Sequence, residues 1–245
     1  MKISVVIPAW NEAPLIADAI RNASGFADEV IVVDARSPDG TGEEARAAGA
    51  VVVQAHRKGR GPQLLAGAAV ATGDVLLFLH ADARLPPKAR GAILRAMDDP
   101  RCPGGAFFIR FLPRSWFTRI LEPGNDIRRG ITKRYYGDTG IFVRASVYRD
   151  LGGHKPWSVM HDYELSGQLE AAGPCAYIRD PCIWADARRF DGRELRTLLN
   201  WMLVQSLYRL GVSPHLLGFL YPDVRGYQPQ RFMALAKREV DRAEG

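Results

Sequence analysis

At 245 residues, with 47% apolar and 24% charged positions, the chain holds enough apolar surface for one large α/β domain or two small ones, and long disorder is excluded. The net charge of +6 is a modest basic excess that suits phosphates on a nucleotide, a lipid or a membrane, and nothing in the chain points to nucleic acid. Three cysteines without a CxxC pair imply neither a disulfide framework nor a zinc site.

In chain order, residues 3–7 form a short apolar run closed by Pro8, and 13–23 read as a helix. A second run, 30–33, ends at Asp34. The turn Ser37-Pro38-Asp39-Gly40-Thr41 leads into a helix over 43–48. Strand 51–53 and helix 63–71 follow, then strand 75–79 and a helix opened by Pro86-Pro87 and running through Met97. Near-continuous apolar strands separated by helices predict an α/β, Rossmann-like fold: a mostly parallel central sheet with helices on both faces. The second half is less regular. Strands are expected at 105–111 and 140–143, and helices at 162–172 and 195–210. There is no linker or repeat, so one domain is expected over 1–225, with a donor half at 1–100 and an acceptor half with a C-terminal helix at 101–225. Residues 226–245 are left as a tail. The chain enters its first strand without an export signal, and no apolar run approaches the ~20 residues that span a bilayer. A cytoplasmic protein is the expectation.

In parallel sheets of this kind, ligands bind beyond the carboxyl ends of the strands, where the strand order reverses. The polar residues fall at those ends. Pro8-Ala9-Trp10-Asn11-Glu12 follows the first strand, where Trp10 could stack on a base; a plain helix cap at Asn11 is the alternative. The loop lacks G-x-G-x-x-G, which argues against a nicotinamide or flavin enzyme. His80-Ala81-Asp82 follows the fourth strand with two ligands one residue apart. Carboxylate oxygen suits Mg2+ or Mn2+, and imidazole tilts the choice to Mn2+. Arg57-Lys58-Gly59-Arg60-Gly61 sets three cations before a helix, an arrangement suited to a diphosphate or else a solvated basic loop. Farther on, Gly137-Asp138-Thr139-Gly140 precedes a strand. Asp162, beside His161 at a helix start, is either a dipole partner or a general base. Arg188-Arg189-Phe190 closes the series.

The order of these motifs resembles the family 2 glycosyltransferases of the GT-A fold. Val5-Val6-Ile7-Pro8-Ala9-Trp10-Asn11-Glu12 is similar to their donor-base strand and loop, and Ile31-Val32-Val33-Asp34 with Ser37 to Thr41 to their second signature. His80-Ala81-Asp82 sits where that family keeps D-x-D. Gly137 to Phe142 and His161 to Leu165 resemble the acceptor-side strand and the E-D pair. A bacterial subgroup with H-A-D also has a G-R-x-x-Q loop and a basic-aromatic pair, matched by Gly59-Arg60-Gly61-Pro62-Gln63 and Arg188-Arg189-Phe190. Ala35 stands where many members carry a second aspartate, and His161 stands for the glutamate of the pair.

The resemblance implies an inverting, metal-dependent transfer from a UDP- or GDP-sugar to an acceptor hydroxyl or lipid phosphate. It makes Asp162 the base. Pro8, Ala9, Trp10, Asn11, Glu12, Asp34, Arg60, Gln63, His80, Asp82 and Arg189 become donor-binding, with Mn2+ or Mg2+ at Asp82 and His80. Gly137, Asp138 and His161 fall on the acceptor side. The rivals are a nucleotidyltransferase, which would want a glycine-rich basic loop after the first strand, a non-catalytic nucleotide-sugar binder, and a membrane-surface or polyphosphate-binding module. The helix at 195–210 is apolar almost all round. Either the domain or a second copy in a homodimer wraps it, or it lies on the inner face of a membrane and meets a lipid-linked acceptor.

Overall fold

The computed structural model describes residues 1–220 and 229–244. The expected boundary at 225 lies outside the described residues. In the first half β1 (Ile3–Ala9), α1 (Ala13–Ser24), β2 (Glu29–Asp34), α2 (Thr41–Ala47), β3 (Val51–Gln54), α3 (Arg60–Val70) and β4 (Val75–Phe78) alternate as the apolar pattern requires. Then come β5 (Ala83–Arg84), α4 (Ala89–Met97), β6 (Gly104–Leu112), α5 (Trp116–Thr132), β7 (Ile141–Arg144), α6 (Ala145–Asp150), α7 (His161–Ala172), β8 (Ala176–Asp186), α8 (Glu194–Arg209), α9 (Pro214–Leu217) and α10 (Pro229–Glu244). The prolines at 86 and 87 form a turn ahead of α4, their carbonyls accepting from Ala89 and Arg90.

All eight strands form one sheet in the order β3-β2-β1-β4-β7-β6-β8-β5. β3, β2, β1 and β4 run parallel, β7 is antiparallel to β4 and β6, and β8 is parallel to β6. β1, β2 and β4 are apolar and buried almost throughout because both sheet faces are covered there. Ile3, Val5 and Ile7 of β1 pack on one face with Ile16, Ala19 and Ile20 of α1, whereas Val6 packs on the other with Leu64 of α3. Gly67 sets the depth of α3. A Cβ there would collide with Val6 and Val33, so Gly67→Ala forces overpacking that costs about 1–3 kcal/mol.

The order reverses at β1, which has β2 on one side and β4 on the other. The carboxyl ends of those strands therefore open the crevice where a ligand is expected. Two corrections belong here. The segment read as a tail contains α10, an amphipathic helix that buries Phe232 and Ala236 against Leu15, Leu112 and Trp184. The second half is also more regular than its sequence, since α5 and β8 continue through Pro123 and Pro181.

Candidate functional site

The loop after β1 is shaped from outside. The first N–H groups of a helix have no intrahelical acceptor, and neither Asn11 nor Glu12 caps α1 with its side chain. Three residues of the turn after β2 take that task. Asn11 N donates to Ser37 Oγ at 2.9 Å, Glu12 N to Thr41 Oγ1 at 2.9 Å, and Ala13 N to Asp39 Oδ2 at 3.1 Å. Asn11 is thereby held at φ 57°, in the left-handed region, and the expected cap at Asn11 gives way to capping from a second segment.

A cleft opens at the carboxyl end of β4. Arg60, His80, Asp82, Gly137, Asp138, His161, Asp162 and Arg189 all line it, together with Tyr136, Asp186, Arg188 and an apolar wall of Phe111, Val159, Met160, Phe190, Trp201 and Val204. Residues from seven regions of the chain thus converge. Arg60 reaches the cleft because Gly61 lies flat against the backbone of residues 155–157. Gly61 N donates to Trp157 O at 3.1 Å, and a Cβ at this position would overlap the Lys155 and Trp157 carbonyls.

Asp82 is the electrostatic centre. Its Oδ2 lies 2.7 Å from Arg188 Nη2, and its Oδ1 lies 4.0 Å from His80 Nδ1. Burial raises the pKa of Asp82, but Arg188 and Arg60 overcome it and bring the carboxyl down to about 2. Burial, reinforced by Arg60, pushes His80 down to about 3, so its imidazole is neutral and can act as a ligand. Glu12 Oε1 lies 3.4 Å from the same Arg188 nitrogen. Burial and repulsion by Asp82 raise Glu12 to about 7.

Gly137 sits between His80 and Asp162. A Cβ on it would be 2.9 Å from His80 Nε2 and 3.4 Å from Asp162 Oδ2, and Gly137 N donates to that oxygen at 2.6 Å. Asp162 Oδ1 accepts from Tyr163 N at 2.8 Å. His161 is buried with its Nδ1 unpartnered, and burial lowers its pKa, so it is neutral. Asp138 Oδ1 is buried without a partner, and burial with repulsion by Asp162 raises its pKa to about 6.

Two expected donor residues face elsewhere. Gln63 is buried, and its Nε2 donates to Ala9 O and Val33 O, both at 2.8 Å, which ties the ends of β1 and β2 together. Asp34 is 2% exposed, with both oxygens accepting from Ser37 N at 3.2 Å. Neither side chain lines the cleft, and in this structure both brace the strand ends. Pro8, Ala9, Trp10, Asn11 and Glu12 also fall outside the cleft lining. Trp10 is half-buried beneath Lys58, whose Nζ lies 3.2 Å from the ring centroid.

The sequence reading missed Asp186. It closes β8 and faces the cleft, with Oδ1 accepting from Arg188 N at 2.8 Å and Oδ2 buried without a partner. Burial, with Asp82 and Glu12 nearby, raises it to about 7. The signal was a carboxylate just ahead of Arg188-Arg189, hidden because Pro181 interrupts the strand pattern.

Among the described residues no three His, Cys, Asp or Glu converge as a ready cation cage. The donor set fits a different arrangement. The carboxylate of Asp82, ionised, and the imidazole of His80, neutral, face each other beside three arginines. A hard cation would complete its shell there from water and phosphate oxygens, as Mg2+ commonly does.

The family model described as Glycosyl transferase family 2 matches residues 4–152, more than half of the chain. This chain belongs to glycosyl transferase family 2. A dolichol-phosphate mannosyltransferase of Pyrococcus furiosus is 33% identical over 106 residues, which cover 40% of this family 2 chain and 30% of its own. A glucosyl-3-phosphoglycerate synthase of Mycobacterium tuberculosis is 38% identical over 92 residues, 33% of this chain and 28% of its own. The chain thus spans about 30% of the length of the curated relatives it matches.

Among solved structures, Mycobacterium tuberculosis glucosyl-3-phosphoglycerate synthase, in complex with Mn2+, UDP-glucose and phosphoglyceric acid, matches with a TM-score of 0.60 at 21% identity, over 86% of this chain and 80% of that one. Mannosyl-3-phosphoglycerate synthase from Rubrobacter xylanophilus matches with a TM-score of 0.54 at 17% identity, over 94% and 79%. The fold is the GT-A fold expected for family 2. No helix among the described residues is long and apolar enough to cross a membrane.

Proposed function

We propose that this chain transfers a sugar from a nucleoside-diphosphate sugar to an acceptor oxygen in the cleft at the carboxyl end of β4. The observation that carries the reading is the meeting of Asp82 and His80 with Arg60, Arg188 and Arg189 at the switch point between β1 and β4. That is one ionised carboxylate and one neutral imidazole beside enough fixed positive charge to hold a diphosphate. Mn2+ or Mg2+ would be held by Asp82 and His80, and when bound it supplies Lewis-acid stabilisation of charge on the departing diphosphate. The Mn2+ and Mg2+ complexes of the mycobacterial synthase support this assignment.

The acceptor hydroxyl attacks the anomeric carbon on the face opposite the leaving group. A carbon–oxygen bond to the acceptor forms, the bond to the diphosphate oxygen breaks, and its electron pair leaves with the diphosphate. Asp162 takes the acceptor proton. Gly137 N and Tyr163 N orient its two oxygens while leaving a lone pair of each for the proton. Arg60, Arg188 and Arg189 balance the diphosphate charge. The loop 8–12, with Trp10, is assigned to the UDP or GDP base, a reading supported by Glu12 lying 3.4 Å from Arg188 of the cleft.

The apolar wall of Phe111, Val159, Met160, Phe190, Trp201 and Val204 favours an acceptor with an apolar part, such as a lipid-linked phosphate or alcohol. That acceptor implies a protein working in the cytoplasm and touching a bilayer peripherally.

The test is a thermal-shift screen of nucleoside diphosphates and their sugars with and without Mn2+, followed by product analysis. A ligand at 100 times its Kd stabilises the fold by about 2.7 kcal/mol. A Mn2+-dependent shift with one nucleotide series, and turnover of that donor, is the expected result. A shift without turnover of any donor, including hydrolysis, would make the chain a nucleotide-sugar binder.

A further inference from the structure

Two helices present apolar stripes to solvent. On α5, Trp116, Ile120, Ile127 and Ile131 are 65–78% exposed, and at 3.6 residues per turn they fall within an arc of roughly 60°. The rest of α5 is docked through Phe117, Thr118, Leu121 and Glu122, which are buried. α8 repeats the arrangement. Leu195, Leu199, Met202 and Leu203 are 49–66% exposed and share an arc of roughly 100°, while Trp201 and Val204 of the same helix line the cleft. The helices meet on Phe190, whose ring centroid is 5.4 Å from that of Phe117 and 5.3 Å from that of Trp201. The turn after α9 continues the surface with Phe219, 88% exposed, and Asn200 Nδ2 of α8 donates to Leu220 O at 3.0 Å. Singly exposed apolar residues are ordinary; aligned stripes on neighbouring elements beside a cleft are not.

We propose that the outward faces of α5, α8 and α9 form one surface that seats on an anionic bilayer and brings the mouth of the cleft to the lipid headgroups. Charge selects this occupant. Arg119 on α5, Lys133 just past it, and Arg193, Arg196 and Arg209 on or beside α8 are exposed. Neither helix carries an exposed carboxylate to answer them: Glu122 is buried, Asp126 is paired with Arg179, and Glu194 is half-buried. Among the described residues of these helices and the turns beside them, Asp191, ahead of α8, is the exposed acid. A two-fold dimer would bring the same patch from each copy together and set arginines against arginines. Anionic headgroups neutralise them while the apolar stripes enter the acyl boundary. The inference builds on the lipid-linked acceptor proposed above and adds which faces of the chain make the contact.

The experiment is flotation of the full chain with vesicles of phosphatidylcholine alone or with phosphatidylglycerol, at about 0.1 M and about 1 M salt, between which the Debye length falls from about 10 Å to about 3 Å. Binding to the anionic vesicles at low salt is expected, weakened by high salt and absent on phosphatidylcholine. The pairs Ile127→Ser with Ile131→Ser and Leu199→Ser with Met202→Ser should each lower vesicle affinity at least tenfold. Their melting temperatures and nucleoside-diphosphate thermal shifts should stay as in the parent. No flotation at low salt overturns the proposal, as does flotation that both pairs leave unchanged. A dimer in size-exclusion chromatography that either pair dissociates also overturns it, in favour of a second copy. Flotation needs no donor and no turnover, so its failure is separate from failure of the transfer assay.

Discussion

Arg188 Nη2 lies 2.7 Å from Asp82 Oδ2, which makes an arginine the nearest positive charge to the carboxylate assigned to the metal. The two cations compete for one oxygen and cooperate on one diphosphate. Arg188→Ala is therefore expected to raise Mn2+ affinity in the absence of nucleotide and to lower nucleoside-diphosphate affinity in its presence. Asp82→Ala should weaken diphosphate binding in Mn2+ and change it little in EDTA. Calorimetric titration of both variants checks this. Equal Mn2+ affinity in all three proteins removes Asp82 from the metal site.

Asp162→Asn preserves size and one of the two backbone contacts, because its amide nitrogen cannot accept from a second N–H, and it cannot accept a proton. Donor affinity should persist while transfer falls by roughly 10²–10⁴. If transfer stays within a few-fold of the parent, the base is another carboxylate of the cleft. Asp138 and Asp186 are the next two to replace, since burial already holds them near 6 and 7.

Gln63→Ala separates a brace from a ligand. Losing the bonds to Ala9 O and Val33 O should lower stability by about 0.5–1.5 kcal/mol for each, read as a fall in the chemical-denaturation midpoint. Nucleoside-diphosphate affinity at a temperature well below the melt should be close to that of the parent. A large affinity loss with unchanged stability would reverse the assignment.

Asp138 gives the metal-free protein a pH signature. Its folded pKa of about 6 lies above the reference value of 3.8, so between those values the unfolded chain has released a proton that the folded chain keeps. The contribution of this group to stability is complete below about 4 and is lost as pH rises through about 6. Asp138→Asn should therefore gain stability relative to the parent on going from pH 4 to pH 7. Parallel denaturation curves at the two values measure the difference, and a pH-independent difference refutes the assigned shift.

The donor half was legible because its signals are local. Apolar runs such as Val30 to Val33 are buried on both faces, and each ends in a polar residue at the strand's carboxyl end. The acceptor half hides its elements behind prolines. Pro123 lies inside α5 and Pro181 inside β8, so a 17-residue helix and the strand bearing Asp186 left little periodic trace. Motif order brought Arg60, His80, Asp82, Asp162 and Arg189 to one cleft, but motif membership did not tell a brace from a contact. Gln63 and Asp34 sit within signature segments and hold backbone instead, and only their partners in space distinguish the two roles.

The support of Asn11, Glu12 and Ala13 by Ser37, Thr41 and Asp39, from a second segment of the chain, has a bearing on redesign. Grafting residues 8–13 from another enzyme to change the nucleotide preference would carry the proposed base-holding loop without the scaffold that bends it. The left-handed turn at Asn11 would relax, and Trp10 would point elsewhere. The transferable unit is the discontinuous pair of segments 8–13 and 34–41, exchanged together, with Gln63 kept as the pin between the strands that deliver them.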